Sequence, residues 1–307
     1  MAESNRQKLL DRRIGAAWRQ AAALPLWSDP VEPSDLRGGL SNVNFVVEDA
    51  GRKYVIRIGG DNDVHGVVRK NELAASRAAY AAGVAPRVAY AEPGVLVLDF
   101  IEGHTYTPED ARNPKNLPKI VELIQRTHRE IPKHLRGPGV LFWVFHVIRD
   151  YAHSLAESTS ADLTHIRSLL ARSEELERAI GPIELVFGHN DLLAANIIDD
   201  GKKLWLVDWE YAGFNSPLFD LGGLASNSEF TPAAREKLLE YYFDKAVTDQ
   251  LRYRFAAMTA ASLLRETMWS MVSEIHSQID YDFSIYSAEN LARFEKAYAT
   301  FKSMKRA

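Results

Sequence analysis

The sharpest constraint on this chain is a change of texture near Gly103. Before it, short β-rich runs alternate with glycine turns. After it, long stretches space their apolar residues three and four apart. Val43-Asn44-Phe45-Val46-Val47 and Tyr54-Val55-Ile56-Arg57-Ile58 flank Glu48-Asp49-Ala50-Gly51, which predicts a hairpin with strands near 43–48 and 53–58. Residues 67–82 predict a helix ended by Gly83 and Pro86. The runs at 88–91 and 95–100 around Glu92-Pro93-Gly94 predict a second hairpin. An amphipathic helix over 7–24 and a loop with three prolines over 24–35 precede them. Beyond Gly103 the pattern is helical over 117–130, 142–158, 161–179, 232–248, 251–276 and 287–304, broken by one β-rich island at 185–209. The expectation is an α+β chain of two lobes, 1–102 and 103–307, with a cleft between them where a ligand would sit.

Composition removes several function classes. At 307 residues, 46% hydrophobic and 25% charged, the chain has the makeup of a soluble globular protein. With 37 basic against 41 acidic residues, it has no electrostatic reason to bind nucleic acid or an anionic membrane. The absence of cysteine excludes disulfides, thiolate metal sites and a cysteine nucleophile. The N-terminal stretch mixes charge with isolated apolar residues, unlike a signal peptide, and no window has the apolar length of a membrane span. These features read as a cytoplasmic protein. Nothing in the sequence sets an oligomeric state.

The island carries the chemistry. Phe187-Gly188-His189-Asn190-Asp191 is followed by Asn196, and the run Leu204-Trp205-Leu206-Val207 ends on Asp208. Adjacent strands would bring Asp191, Asn196 and Asp208 to one rim. Three oxygen donors there suit a hard cation such as Mg²⁺, and one carboxylate could serve as a base toward a hydroxyl. The spacing H-x-D-x-x-x-x-N, with a later Asp at a strand end, is the arrangement used for phosphoryl transfer, a reaction that depends on positioning and charge neutralisation. Taken singly, Asp191 and Asn196 are also ordinary turn formers, and His189 reads as a structural hydrogen-bonding group.

On these residues, with Val207-Asp208-Trp209-Glu210-Tyr211 and Pro217 and Asp220 downstream, the chain resembles the choline/ethanolamine kinase family, within the aminoglycoside phosphotransferase group. The resemblance implies a bilobal protein-kinase-like fold, with an antiparallel-sheet lobe bearing one helix and a larger, mainly helical lobe. It implies an ATP- and Mg²⁺-dependent kinase of a small alcohol, choline favoured. Asp191 would be the catalytic base, and Asn196 and Asp208 the metal ligands. Gly38, Gly39, Leu40, Ser41, Asn42 and Asn44 would form the phosphate-covering loop. Arg57 and Glu72 would pair near the phosphates, and the main chain of Asp99, Phe100 and Ile101 would meet adenine. Alone, Arg57 also reads as an exposed strand cation and Glu72 as part of a solvated helix face.

The acceptor pocket would hold Asp191, Glu210, Tyr211, Glu266, Trp269, Tyr281 and Tyr286, because ring faces and carboxylates suit a quaternary ammonium. Trp269 lies on an apolar helix, so a core position is the alternative. Choline kinases often carry a second tryptophan three residues before it, where this chain has Glu266. Other acceptors on the same fold are ethanolamine, thiamine, a sugar, or an aminoglycoside drawn by Asp280 and Asp282. A non-catalytic binding protein is the rival of another class.

Overall fold

The structure, a computed structural model, describes residues 14–36, 42–158, 162–277 and 281–304. Gly38, Gly39, Leu40, Ser41 and Asp280 lie outside the described residues. Helix α1 occupies 14–22 of them and leads into a five-stranded antiparallel sheet with the order β1-β2-β3-β5-β4. The strands are β1 (Ser34–Asp35), β2 (Val43–Asp49), β3 (Arg52–Ile58), β4 (Val88–Glu92) and β5 (Val95–Asp99). Alternation sets the inner face. Phe45, Val47 and Ile56 are buried, with Val97, against Ala17 and Ala21 of α1 and Leu24 just beyond it. Each large apolar side chain buried this way contributes about 1.5–3 kcal/mol.

Between β3 and β4 come a short 3-10 turn (Asp63–His65) and helix α2 (Arg69–Ala81). The alanine face of α2 (Ala75, Ala78, Ala79) belongs to the larger core, and this helix packs on α4 (Leu117–His134) of the helical part. The chain crosses over at 100–103. Gly103 lies so close to the carbonyl of Asp199 that a Cβ would sit 2.5 Å from it, which explains a glycine at the crossing. Strand β6 (His104–Thr105) and helix α3 (Pro108–Arg112) follow.

The helical part comprises α4, α5 (Val144–Ala156), α6 (Leu163–Ile180), α7 (Pro217–Asn227), α8 (Pro232–Phe243), α9 (Asp249–His276) and α10 (Phe283–Ser303). The island resolves into β7 (Val186–Gly188), β8 (Ile197–Asp199) and β9 (Leu204–Leu206), and β10 (Gly213–Asn215) follows just beyond it. Its strands divide between two sheets: β8 pairs with β9 and β6, whereas β7 pairs with β10. Helix α8 ends at Phe243, shorter than the spacing predicts, because Asp244 takes φ +51°. Helix α10 begins at Phe283, earlier than predicted, because Asp282 accepts from the N–H groups of Ser284 and Ile285. That capping role accounts for Asp282.

Candidate active site

The register of β8 and β9 builds the rim. Ile197 faces Leu206, and Val207 N–H donates to the Asn196 carbonyl at 3.0 Å, extending the ladder by one pair. Asp208 therefore follows beside the turn that carries Asn196. The Asn196 amide donates to the backbone carbonyl of Asp191 at 3.0 Å, so its nitrogen is used internally. Asp208 itself takes φ +68°, a left-handed conformation costing about 1–3 kcal/mol for such a residue.

The loop before Asp191 is held from below. Asp220, in the first turn of α7, accepts from the His189 N–H and the Asn190 N–H, both at 2.8 Å. His128 of α4 contacts the same carboxylate at 3.0 Å, and its other ring nitrogen meets the Tyr242 hydroxyl at 2.7 Å. Burial works against ionising Asp220, but the His128 contact and the donated N–H groups hold its pKa below the usual range. His189 donates Nε2–H to the Val207 carbonyl at 2.8 Å and packs its ring on Trp209. Burial lowers its pKa, so it tethers the two strands as a neutral ring.

Asp191 keeps 22% of its side chain exposed, so a small molecule can reach it. Burial raises its carboxyl to about 7 against the pull of Arg265, whose Nη1 lies 3.8 Å away, with Glu266 and Glu210 adding to the rise. Burial also raises Asp208 well above the usual range, helped by Glu210 and Asp191. Two neighbouring carboxyls that resist ionisation together are what a bound cation would relieve. Among the described residues no group of three or more His, Asp or Glu side chains is arranged as a metal cage. The donors present, one carboxylate and one carboxamide oxygen, fit Mg²⁺, which takes one or two protein oxygens and fills its shell with water and phosphate.

The sheet side contributes a buried chain of charge. Arg57 Nε lies 2.8 Å from Glu72 Oε1, and Arg69 Nη1 bridges Glu72 Oε2 at 2.9 Å to Glu210 Oε2 at 3.0 Å. Burial pushes Glu72 up and Arg57 down, each against the other's attraction. Asn42 donates to Glu210 Oε2 at 3.1 Å and accepts from Arg69. Glu210, expected in the acceptor pocket, thus engages the sheet lobe. Asn44 sits opposite Arg57 on the hairpin.

The segment at 99–101 is partly committed to the sheet. Asp99 N–H donates to Arg87 and Phe100 N–H to Lys53, while the Asp99 side chain pairs with Arg87. Two of the three residues expected to meet adenine through their main chain thus spend their amides on the sheet.

On the other side of Asp191 stand the rings. Trp269 Nε1–H donates to the Tyr211 hydroxyl at 3.0 Å, and Tyr286 donates to Glu266 Oε1 at 2.8 Å. Tyr281, exposed, packs edge-on to Tyr286 and Phe283. Trp269 is buried, yet it belongs to this group as well as to the core. Sequence reasoning missed Arg69, Arg265 and His65. Arg69 had a legible signal, three residues before Glu72 on one helix face. His65 had none: it reaches Ser273 Oγ across 208 positions.

An antiparallel-sheet lobe beside a larger helical part makes the fold protein-kinase-like, and the family it falls in makes the protein a phosphotransferase with an alcohol acceptor. Residues 34–230 match the choline/ethanolamine kinase family, and the chain belongs to that family. Ethanolamine kinase 2 from Homo sapiens is 27% identical over 306 residues, covering 89% of this chain and 78% of that protein. Protein LicA from Haemophilus influenzae is 26% identical over 263 residues, covering 83% of this chain and 76% of its own. The crystal structure of a choline/ethanolamine kinase family protein from Mesorhizobium loti superposes with a TM-score of 0.76 at 27% identity, covering 95% of this chain and 98% of that one.

Proposed function

We propose that the protein transfers the γ-phosphoryl group of ATP to the hydroxyl of a small amino alcohol of the choline/ethanolamine class. The observation that carries this reading is the meeting of Asp191 with Asn196 and Asp208, fixed by the β8–β9 register. The family match and the relatives named ethanolamine kinase support the acceptor class.

Asp191 accepts the hydrogen bond of the acceptor hydroxyl and takes its proton as the oxygen attacks phosphorus. The bond from the γ-phosphorus to the β–γ bridging oxygen breaks, and ADP leaves with that electron pair. Asp220 holds the peptide planes before Asp191, so the carboxylate is oriented before the acceptor arrives. Asn196 Oδ1 and Asp208 would hold Mg²⁺, which when bound neutralises phosphate charge. The Arg57–Glu72–Arg69–Glu210 chain ties the phosphate-facing strand to the segment after Asp208, and Arg57, with Asn42 and Asn44, borders the phosphates. The main chain at Ile101 borders the adenine ring.

The test is ADP release with ethanolamine and with choline, for wild type and Asp191→Ala. Loss of a positioned base should lower kcat by about 10²–10⁴-fold, with the KM for ATP little changed. Equal rates in the two proteins would sink the assignment.

A further inference from the structure

A trimethylammonium group offers no hydrogen-bond donor, so its binding depends on open aromatic faces. The two central rings of this pocket do not offer them. The guanidinium of Arg265 lies over the Tyr211 ring, with Cζ 4.5 Å from its centroid, and Phe142 packs edge-on to the same ring at 6.2 Å. The ring of His65 stacks on Trp269 at 5.1 Å with planes 29° apart, while Phe283 meets that indole at 6.0 Å.

Arg265 is fixed there. Its side chain is 4% exposed, and Nη1 reaches Glu266 Oε2 at 3.0 Å and Asp191 Oδ1 at 3.8 Å. Its Nε and Nη2 are buried without hydrogen-bond partners, so the ring faces of Tyr211 and Phe142 are their surroundings. A second cation placed on Tyr211 would have to displace this one or stand against it.

The side chains around Arg265 point to a different head group. Glu266 and Asp191 are the acidic groups beside that arginine, at 3.0 and 3.8 Å. The groups that remain able to receive a substrate cation are carboxylate oxygens, both partly exposed. Oxygens recognise N–H donors, of which a primary ammonium has three.

Resting on the amino-alcohol reading above, we infer that Arg265 is a resident cation filling the aromatic seat of a quaternary ammonium, so the site prefers a primary ammonium held by Glu266 and Asp191. Arg265 is then a specificity residue, acting by occupancy. Choline, the acceptor favoured on sequence resemblance, becomes the poorer substrate, because its methyl groups donate no hydrogen bond to the carboxylates and the faces of Tyr211 and Trp269 are already covered.

The experiment measures kcat/KM for ethanolamine, its N-methyl and N,N-dimethyl derivatives and choline, with ATP saturating, in wild type, Arg265→Met and Glu266→Gln. In wild type the value should fall along the series by at least tenfold. Arg265→Met should narrow that ratio severalfold, chiefly through a lower KM for choline. Glu266→Gln should cost ethanolamine more than choline. A wild-type series that is flat or rises with methylation overturns the inference while leaving the kinase reading standing. A folded Arg265→Met protein with an unchanged ratio also overturns it. Should Arg265→Met fail to fold, the wild-type series and Glu266→Gln decide. No turnover of any of the four acceptors overturns the amino-alcohol reading, and this inference with it.

Discussion

His65 should make the stability of this protein depend on pH in a way a single substitution can isolate. The ring sits where the turn after β3 meets α9. It stacks on Trp269, meets Tyr151 edge-on at 5.7 Å, and contacts Ser273 Oγ at 3.0 Å and the Tyr151 hydroxyl at 3.3 Å. Burial, then the charges of Arg265 and His276, pull its pKa down to about 3, from an ordinary value of about 6.5. The folded state therefore refuses a proton that the unfolded chain accepts. This contribution is fully present above pH 6.5 and is lost as pH falls from there toward 3. At pH 5 the loss is RT ln(1 + 10^1.5), about 2 kcal/mol. At roughly 300 residues that corresponds to a melting shift of about 3 °C. Urea and thermal unfolding at pH 7.5 and 5.0 should show wild type losing about 2 kcal/mol more than His65→Gln, which keeps an amide but cannot titrate. Comparing the two proteins cancels every other titrating group. Equal losses in both would refute the claim that this half-buried ring stays neutral where the turn meets α9.

Other perturbations follow from contacts described above. Asp220→Asn removes the charge that anchors His189, Asn190 and His128; it should cost about 3 kcal/mol in urea unfolding and lower kcat more than it changes either KM. Glu210→Gln breaks the ion pair to Arg69 and should raise the KM for ATP severalfold in steady-state assays, since the disturbed chain ends at Arg57. Gly103→Ala places a Cβ against the Asp199 carbonyl and the Ile198 side chain; backbone cannot yield as a flexible side chain can, so a loss of about 1–3 kcal/mol is expected by thermal unfolding.

What could be read from the sequence was chain-local. Asp191, Asn196 and Asp208 lie within eighteen positions, and a two-stranded turn is enough to bring them together. The two hairpins of the sheet lobe were legible for the same reason, each closing through a glycine turn. Helix α7 was not. Its Leu218-Phe219-Asp220-Leu221-Gly222-Gly223 stretch is buried all round and so has no polar face to mark a period, and paired glycines argue locally against a helix. Tertiary packing decides it: a Cβ on Gly222 would lie 3.2 Å from the backbone of Thr259, so α7 and α9 meet at the glycine. Arg265 was invisible as a pocket residue because its partners, Tyr211 and Asp191, are more than fifty positions away. Resemblance places its neighbours Glu266 and Trp269 in the pocket, but a buried arginine over a tyrosine ring leaves no local mark.

The two non-glycine residues with left-handed backbone beside the site explain why so much of the helical lobe is devoted to one loop. Asn190 takes φ +65° immediately before Asp191, and Asp208 takes φ +68° just after β9. At about 1–3 kcal/mol each, this strain persists only where surroundings over-determine it. For Asn190 they do. Its N–H goes to Asp220, its amide donates to the carbonyls of Tyr211 at 3.0 Å and Gly213 at 3.1 Å, and its oxygen accepts from Asn215. These bonds also pin β7 to β10, the pairing that separates the island into two sheets. The strain and the split sheet are thus one device. With β7 paired to β10 rather than to the β8–β9 hairpin, the loop that carries Asp191 runs between the two sheets, and Asp220 holds it through the His189 and Asn190 amides. A loop fixed in this way should be rigid before substrate binds, so softening it changes the rate of chemistry rather than affinity. The kcat effect expected of Asp220→Asn, with both KM values nearly constant, is the signature of that arrangement; a rise in KM at constant kcat would mean the loop forms only on binding.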